Sequence, residues 1–193
     1  MFEIEDDILI QYIEEKGITN VTIPYGVTSI GMGAFWDCDS LTSITIPDSV
    51  TNIDDSAFRC CTNLKNITIP DSVTRISRRA FYKCEKLISK KVNYKAFRFQ
   101  AGKLTCRELE YREDEWSEEN TDILICERGY HFCDNLFVIF NYYSGEIDKD
   151  IAIYECEVGE KIETDGIKYV TNKIKPVKRL YRSDVIKILN NIN

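Results

Sequence analysis

No run of apolar residues in this chain approaches the roughly 20 that a helix needs to cross a bilayer, so a helical membrane span is excluded. The N-terminus, Met1-Phe2-Glu3-Ile4-Glu5-Asp6-Asp7, lacks the basic start and apolar stretch of a signal peptide, and a cytoplasmic protein is expected. Cations are in deficit. Lys and Arg number 25 against 32 Asp and Glu, a net charge of -7, whereas phosphate neutralisation needs an excess of positive charge on some face. Nucleic acid is therefore not an expected partner, except through a nucleoprotein target. Histidine occurs once, at His131. A Gly-rich phosphate loop and paired carboxylates are missing, and no Ser-His-Asp arrangement can be tested by spacing. Cys126, His131 and Cys133 follow no usual zinc spacing and have no second pair of ligands. No catalytic residue, cofactor or metal is assigned.

What is present is a period of 23 across residues 21–87. Val21-Thr22-Ile23-Pro24, Ile44-Thr45-Ile46-Pro47 and Ile67-Thr68-Ile69-Pro70 lie one period apart. Val27, Val50 and Val73 follow the same rule, as do Ile30, Ile53 and Ile76, the Ala-Phe pairs at 34, 57 and 80, and Leu41, Leu64 and Leu87. An alternating Ile-Thr-Ile segment is a strand with one buried and one wet face, and the proline after it, lacking an N–H, stops the ladder. Val and Ile then form a second short extended piece, and Ala-Phe opens a brief helical or 3₁₀ turn whose Phe plugs the interior. One unit cannot bury its own apolar edge, so neighbours stack and the ends need caps. Phe2 and Ile4, then Ile8, Ile10 and Tyr12, alternate as two strands around an acidic turn, a hairpin suited to the first cap. Cys38, Cys61 and Cys84 share one repeat position, as small buried residues would, and all eight cysteines are expected to be free thiols.

These units resemble the bacterial surface-antigen (BspA-like) type of leucine-rich repeat, with its Ile-Thr-Ile-Pro, Asp-Ser-Val-Thr, Ala-Phe and Cys pattern. The resemblance covers residues 1 to about 91 and implies a binding or adhesion scaffold. Outward positions carry whatever specificity such a scaffold has, so Ser43, Thr45, Asn66 and Thr68 are expected to line a polar contact face. Charge is uneven along the repeats. The cap is acidic (Glu3, Glu5, Asp6, Asp7, Glu14, Glu15), while the last repeat and its exit carry Arg75, Arg78, Arg79, Lys83, Lys86, Lys90 and Lys91. Arg75, Arg78 and Arg79 are expected to continue the contact face and to steer an acidic partner.

From Val92 the period is lost, and residues 92–193 read as a separate α+β domain after a solenoid over 1–91. Strands are expected over 94–99, 123–126, 129–133, 151–158 and 169–180, with an exposed acidic segment over 108–119. Asp134 is the expected N-cap of a helix placing Leu136, Phe140 and Tyr143 on one face, and Ser183 the cap of a last helix through Leu189.

Gly129-Tyr130-His131-Phe132-Cys133-Asp134, then Asn141-Tyr142-Tyr143, then Tyr154-Glu155-Cys156-Glu157-Val158, resemble the ordered segments of ADP-ribosyltransferases of the polymerase type. That resemblance implies a nicotinamide pocket in which His131 replaces the stacking aromatic, Tyr142 or Tyr143 supplies the helical tyrosine, and Arg98 stands in for an absent His. It also puts Lys173 near the position of the catalytic Glu. A lysine cannot accept a hydrogen bond from the ribose and adds positive charge beside a developing cation, which implies an inactive or repurposed fold. The run Cys126-Glu127-Arg128-Gly129-Tyr130-His131-Phe132-Cys133, with Thr171-Asn172-Lys173-Ile174-Lys175, also resembles an uncharacterised domain appended to repeat proteins in bacteria and their phages. The expected function is non-enzymatic binding of a protein partner in the cytosol, with a phage or mobile-element inhibitor of a host complex as its narrower form. The alternatives are an NAD-dependent transferase or its degenerate relative, and an oligomerising module that pairs through the solenoid's open edge.

Overall fold

Asp6 and Asp7 both adopt left-handed backbone (φ 47° and 62°), the geometry of a two-residue hairpin turn that aspartate tolerates better than most residues. They join β1 (Phe2–Glu5) to β2 (Ile8–Tyr12), with Glu5 opposite Ile8. The computed structural model describes residues 1–87, 94–100, 103–106, 109–111, 117–118, 130–133, 135–143, 145–149, 151–159, 162–164, 169–171 and 173–190.

Each coil after the hairpin supplies two strands. β3 (Asn20–Thr22), β5 (Ser43–Thr45) and β7 (Asn66–Thr68) form one parallel sheet; β4 (Ser29–Ile30), β6 (Asn52–Ile53) and β8 (Arg75–Ile76) extend another from β2. The proline between them turns the chain, its carbonyl accepting from the Val N–H three residues on: Val50 to Pro47 at 3.0 Å, Val73 to Pro70 at 3.1 Å. The return path is a series of three-residue turns, as in Ala57 N to Asp54 O at 3.2 Å and Cys61 N to Phe58 O at 3.3 Å. It needs two left-handed residues per coil, first Gly33, Ser56 and Arg79 (φ 65°, 59°, 60°), then Asp37, Cys60 and Lys83 (φ 58°, 61°, 60°).

The Phe of each coil stacks on its neighbour. Ring centroids are 5.3 Å apart for Tyr12 and Phe35, 5.0 Å for Phe35 and Phe58, and 5.5 Å for Phe58 and Phe81. Cys61 and Cys84 lie beside this column, each Sγ donating to the carbonyl of a Phe in the preceding coil (Phe35 at 3.0 Å, Phe58 at 2.9 Å). Burial raises the Cys38 thiol pKa to about 12, and the neighbouring Cys84 thiol, with burial, pushes that of Cys61 up; both stay protonated at neutral pH.

The rest of the chain is strand-rich with little helix, so the class is α+β: a solenoid of about three coils followed by a small domain. β9 (Tyr94–Gln100), β10 (Lys103–Cys106), β11 (Leu109–Tyr111) and β12 (Ser117–Glu118) come first, then β13 (Tyr130–Phe132), α1 (Leu136–Ile139) and β14 (Gly145–Glu146). β15 (Ile151–Val158), β16 (Ile162–Thr164), β17 (Tyr169–Thr171), β18 (Lys173–Leu180) and α2 (Arg182–Asn190) complete the order. One antiparallel sheet runs β11-β10-β9-β15-β18-β12, and a smaller one β13-β17-β16.

Several local expectations are corrected. The N-cap of α1 is Asn135, whose side chain accepts from Phe137 N at 3.2 Å, and the helix is a single turn, so Tyr143 lies beyond it. α2 starts at Arg182 because the Asp184 carboxylate reaches back to Tyr181 N at 3.1 Å; Ser183 sits inside the first turn. Residues 108–119 contain β11 and β12. The strand expected over 123–126, Asp134, Asn172, and Lys90 and Lys91 lie outside the described residues.

The second half closes the solenoid's last coil. β14 pairs antiparallel with β8, Gly145 opposite Ile76 and Glu146 opposite Arg75. Inside the solenoid, Gly33 N and Ser56 N donate to carbonyls of the next coil; Arg79 N, at the same position, donates to Phe140 O at 2.6 Å. Ile23 N and Ile46 N likewise donate forward, whereas Ile69 N meets Asn190 Oδ1 at 2.7 Å while Asn190 Nδ2 donates to Ile69 O at 2.7 Å. One carboxamide thus stands in for the next strand's backbone. Phe137 and Phe140 cover the Phe81 ring edge-on, at 5.1 and 6.4 Å, and one buried core runs from Leu9 to Leu189. The open edge needed for the oligomerising alternative is covered at this end.

Candidate binding surface

Two surfaces of the solenoid differ in chemistry. On the first sheet, Asn20, Ser43 and Asn66 are in register, as are Thr22, Thr45 and Thr68, while Val21, Ile44 and Ile67 between them are buried. Thr45, Asn66 and Thr68 are exposed and Ser43 is half-buried, a polar row of the kind that the alternation predicts. Thr68 also borders a cleft of about 360 Å³ against α2, lined by Asp48, Asp71, Lys187 and Asn190 among others.

The second surface lies on the return turns. Trp36, Arg59 and Tyr82 occupy one repeat position, 23 residues apart, with Asp37 N donating to Arg59 O at 3.0 Å and Cys60 N to Tyr82 O at 2.8 Å. Backbone bonds of this kind fix the three side chains one above another. The Arg59 guanidinium lies between two rings, 4.8 Å from the Trp36 centroid and 5.3 Å from that of Tyr82, and Lys83 Nζ stands 5.9 Å from the Tyr82 ring. Trp36 is 53% exposed and Met32, one turn away, 77% exposed, large apolar groups that the core does not use.

The ladder ends in a cleft of about 350 Å³ between the last coil and the residues after α1, lined by Arg59, Arg78, Arg79, Tyr82, Asn141 and Tyr142. Arg59 Nε and Asn141 Oδ1 are buried without a hydrogen-bond partner among the described residues. Among those residues no carboxylate lies within ion-pair distance of Arg59, Arg78 or Arg79.

The structure brings together only some of the residues singled out in the sequence. Arg78 and Arg79 meet in this cleft. Arg75 lies on β8, in a different sheet from Thr45 and Thr68, so the arginines do not continue the threonine face as expected. Tyr142, 40% exposed, borders the arginine cleft, whereas Arg98 pairs with Thr105 and Ile151 in the large sheet and His131 with Val170 in the small one. Tyr143 is half-buried against the common core. Trp36, Arg59, Tyr82 and Asn141 were not anticipated. The signal for the first three is the period itself, read at a position where the repeats disagree.

A model of the BspA type leucine rich repeat region matches residues 10–108, in six copies. The chain belongs to that family. In this BspA type repeat protein, a second model, a domain of unknown function (DUF7666), matches residues 93–188, in keeping with the uncharacterised appended domain; neither match carries the likeness to ADP-ribosyltransferases. The chain is similar to the crystal structure of a T. pallidum leucine rich repeat protein, at 34% identity over 46% of this chain and 44% of that one, with a TM-score of 0.41. It is also similar to a leucine-rich repeat protein from Bacteroides ovatus, at 38% identity over 43% and 23%, with a TM-score of 0.37. The chain thus spans less than half the length of either solved protein. Among curated proteins, none matches.

Proposed function

We propose that this protein is a binding module whose partner is another protein, and that the contact centres on the Trp36–Arg59–Tyr82 ladder and its neighbours. The observation that carries this reading is the ladder's composition. Trp, Tyr and Arg dominate the energetics of protein contacts, and here they are held in a fixed row with Trp36 and Met32 exposed beyond what the fold requires. Membership of a leucine-rich repeat family supports the same reading. The polar row of Ser43, Thr45, Asn66 and Thr68 is the rival surface.

A photo-crosslinking residue placed at position 32, which leaves Trp36 in place, and separately at 45, identifies the partner and the face together. Trp36→Ala is expected to weaken binding of that partner at least tenfold, while Thr45→Arg with Thr68→Arg leaves it within about threefold, with thermal melts as the folding control. Crosslinks confined to position 45 would move the contact to the strand face, and none at either position would remove the solenoid from the reading. Residence in the cytoplasm, where buried thiols such as Cys38 and Cys61 stay reduced, belongs to this proposal. Inhibition of a host complex is its narrower form, supported by the resemblance of residues 92–180 to a domain of bacterial and phage repeat proteins; the partner's identity decides it.

A further inference from the structure

We infer that the cleft where the ladder meets the second half binds the carboxylate side chains of an acidic segment of the partner. The inference rests on the protein-binding reading and narrows it to a ligand chemistry. Arg59, Arg78 and Arg79 converge there, and among the described residues none has an acidic partner of its own. Three guanidinium groups brought together without counter-charge repel one another, and an incoming carboxylate relieves that repulsion while accepting paired N–H bonds. One further group is set for such a ligand. Arg59 Nε is a buried donor without a hydrogen-bond partner among the described residues, so the wall of the cleft holds an unspent N–H beside the charge, while Asn141 Oδ1, a buried acceptor, is left for a backbone N–H of the same segment. Arg59 cannot swing out to solvent without leaving both the Trp36 and Tyr82 rings, so its charge is held in place before a ligand arrives.

The same cations could attract a nucleic-acid phosphate, but the neighbourhood argues for protein. Single-stranded nucleic acid is held by bases stacking on open aromatic faces, and here Arg59 already covers a face of Trp36 and of Tyr82. An extended phosphate chain following the ladder past Trp36 would also approach the first cap, whose Glu14 accepts from Ser40 N at 2.9 Å, whereas a short acidic segment need occupy only the cleft. Arg79 carries a further indication. It holds left-handed backbone at φ 60° where the other coils have Gly33 and Ser56, and among the described residues no hydrogen bond or ion pair ties its side chain to the fold.

The test uses the full chain and fluorescence anisotropy of a fluorescein-labelled hexaglutamate peptide, with labelled hexaglutamine as the neutral control and a twelve-residue oligothymidylate as competitor. The proposal expects hexaglutamate to bind and hexaglutamine not to. Arg78→Ala with Arg79→Gly should weaken hexaglutamate binding at least tenfold. Arg75→Ala, which removes the same charge from the other sheet, should change it less than twofold, and raising the salt concentration should weaken binding by the parent chain. Three results would overturn it: no hexaglutamate binding, equal binding by the double variant and the parent, or displacement by oligothymidylate at lower concentration than by unlabelled hexaglutamate. The double variant should melt like the parent, so loss of binding is not loss of fold. Failure here with an intact crosslink at position 32 would sink only the carboxylate inference, while absence of that crosslink sinks the reading beneath it.

Discussion

The two ends of the solenoid are closed by opposite means. At the first end one contiguous hairpin imitates a coil: Tyr12 takes the place of a stacking Phe, Tyr12 N donates to Ala34 O at 2.7 Å as Phe35 N does to Ala57 O, and Leu9 O accepts from Gly31 N at 2.8 Å. At the last end no segment imitates a coil. Phe140 O, the Asn190 carboxamide, the short strand β14 and the ring of Phe137 each supply one missing contact from a different part of the chain. Closing a stack therefore requires its hydrogen bonds and its ring contact to be met at the right places, and not a repeat in sequence.

The comparison can be broken from either side. The largest effect is expected at the last ring. Phe81→Ala removes a side chain 3% exposed that touches Phe58, Phe137 and Phe140, and should cost about 3–5 kcal/mol by urea unfolding. Phe2→Ala, at the half-buried opposite end of the column, should cost only about 1 kcal/mol. If the two costs were equal, the second half would not be the tighter closure.

Gly31→Ala comes next, with an expected loss of about 1–3 kcal/mol, because a Cβ at that position would stand 2.7 Å from Leu9 O in the hairpin backbone. The equivalent positions in later coils hold Asp54 and Ser77, so the restriction belongs to the capped end alone. Asn190→Ala should cost about 1 kcal/mol, since it leaves the Ile69 N–H and C=O to water. Hydrogen exchange sharpens this one. The Ile69 amide should lose protection while Ile46, bonded forward to Thr68 O at 3.1 Å, keeps it. The smallest effect on stability is expected from Arg79→Gly. Relief of left-handed strain and the added flexibility of glycine offset each other to within about 1 kcal/mol, and a loss of several kcal/mol would show that the side chain has a structural task.

These contrasts track what could be read from the chain. Positions repeated in kind, such as the Ile-Thr-Ile strands and the Ala-Phe turns, were legible because stacking imposes the same demand on every coil, and the hairpin cap was legible from its alternation. The closing contacts of the other end were not. Asn190 is one carboxamide more than 100 residues from Ile69, and no periodicity announces it. Of the candidate site, Arg78 and Arg79 were visible as charge. The ladder was hidden because Trp36, Arg59 and Tyr82 share a position but not a residue type, and agreement between repeats marks the core, whereas disagreement marks a surface free to specialise.

The column from Tyr12 to Phe81 also governs how such a chain can change in length. Every coil hands the next a ring about 5 Å above its own and the same row of forward-pointing N–H groups, so the elements that finish the stack meet an identical platform whichever coil comes last. Growth is then quantised. Duplicating 23 residues would lift the second half by one step and extend the turn-side row by one rung, whereas inserting three or four would turn the platform away from Phe140 and Asn190 together.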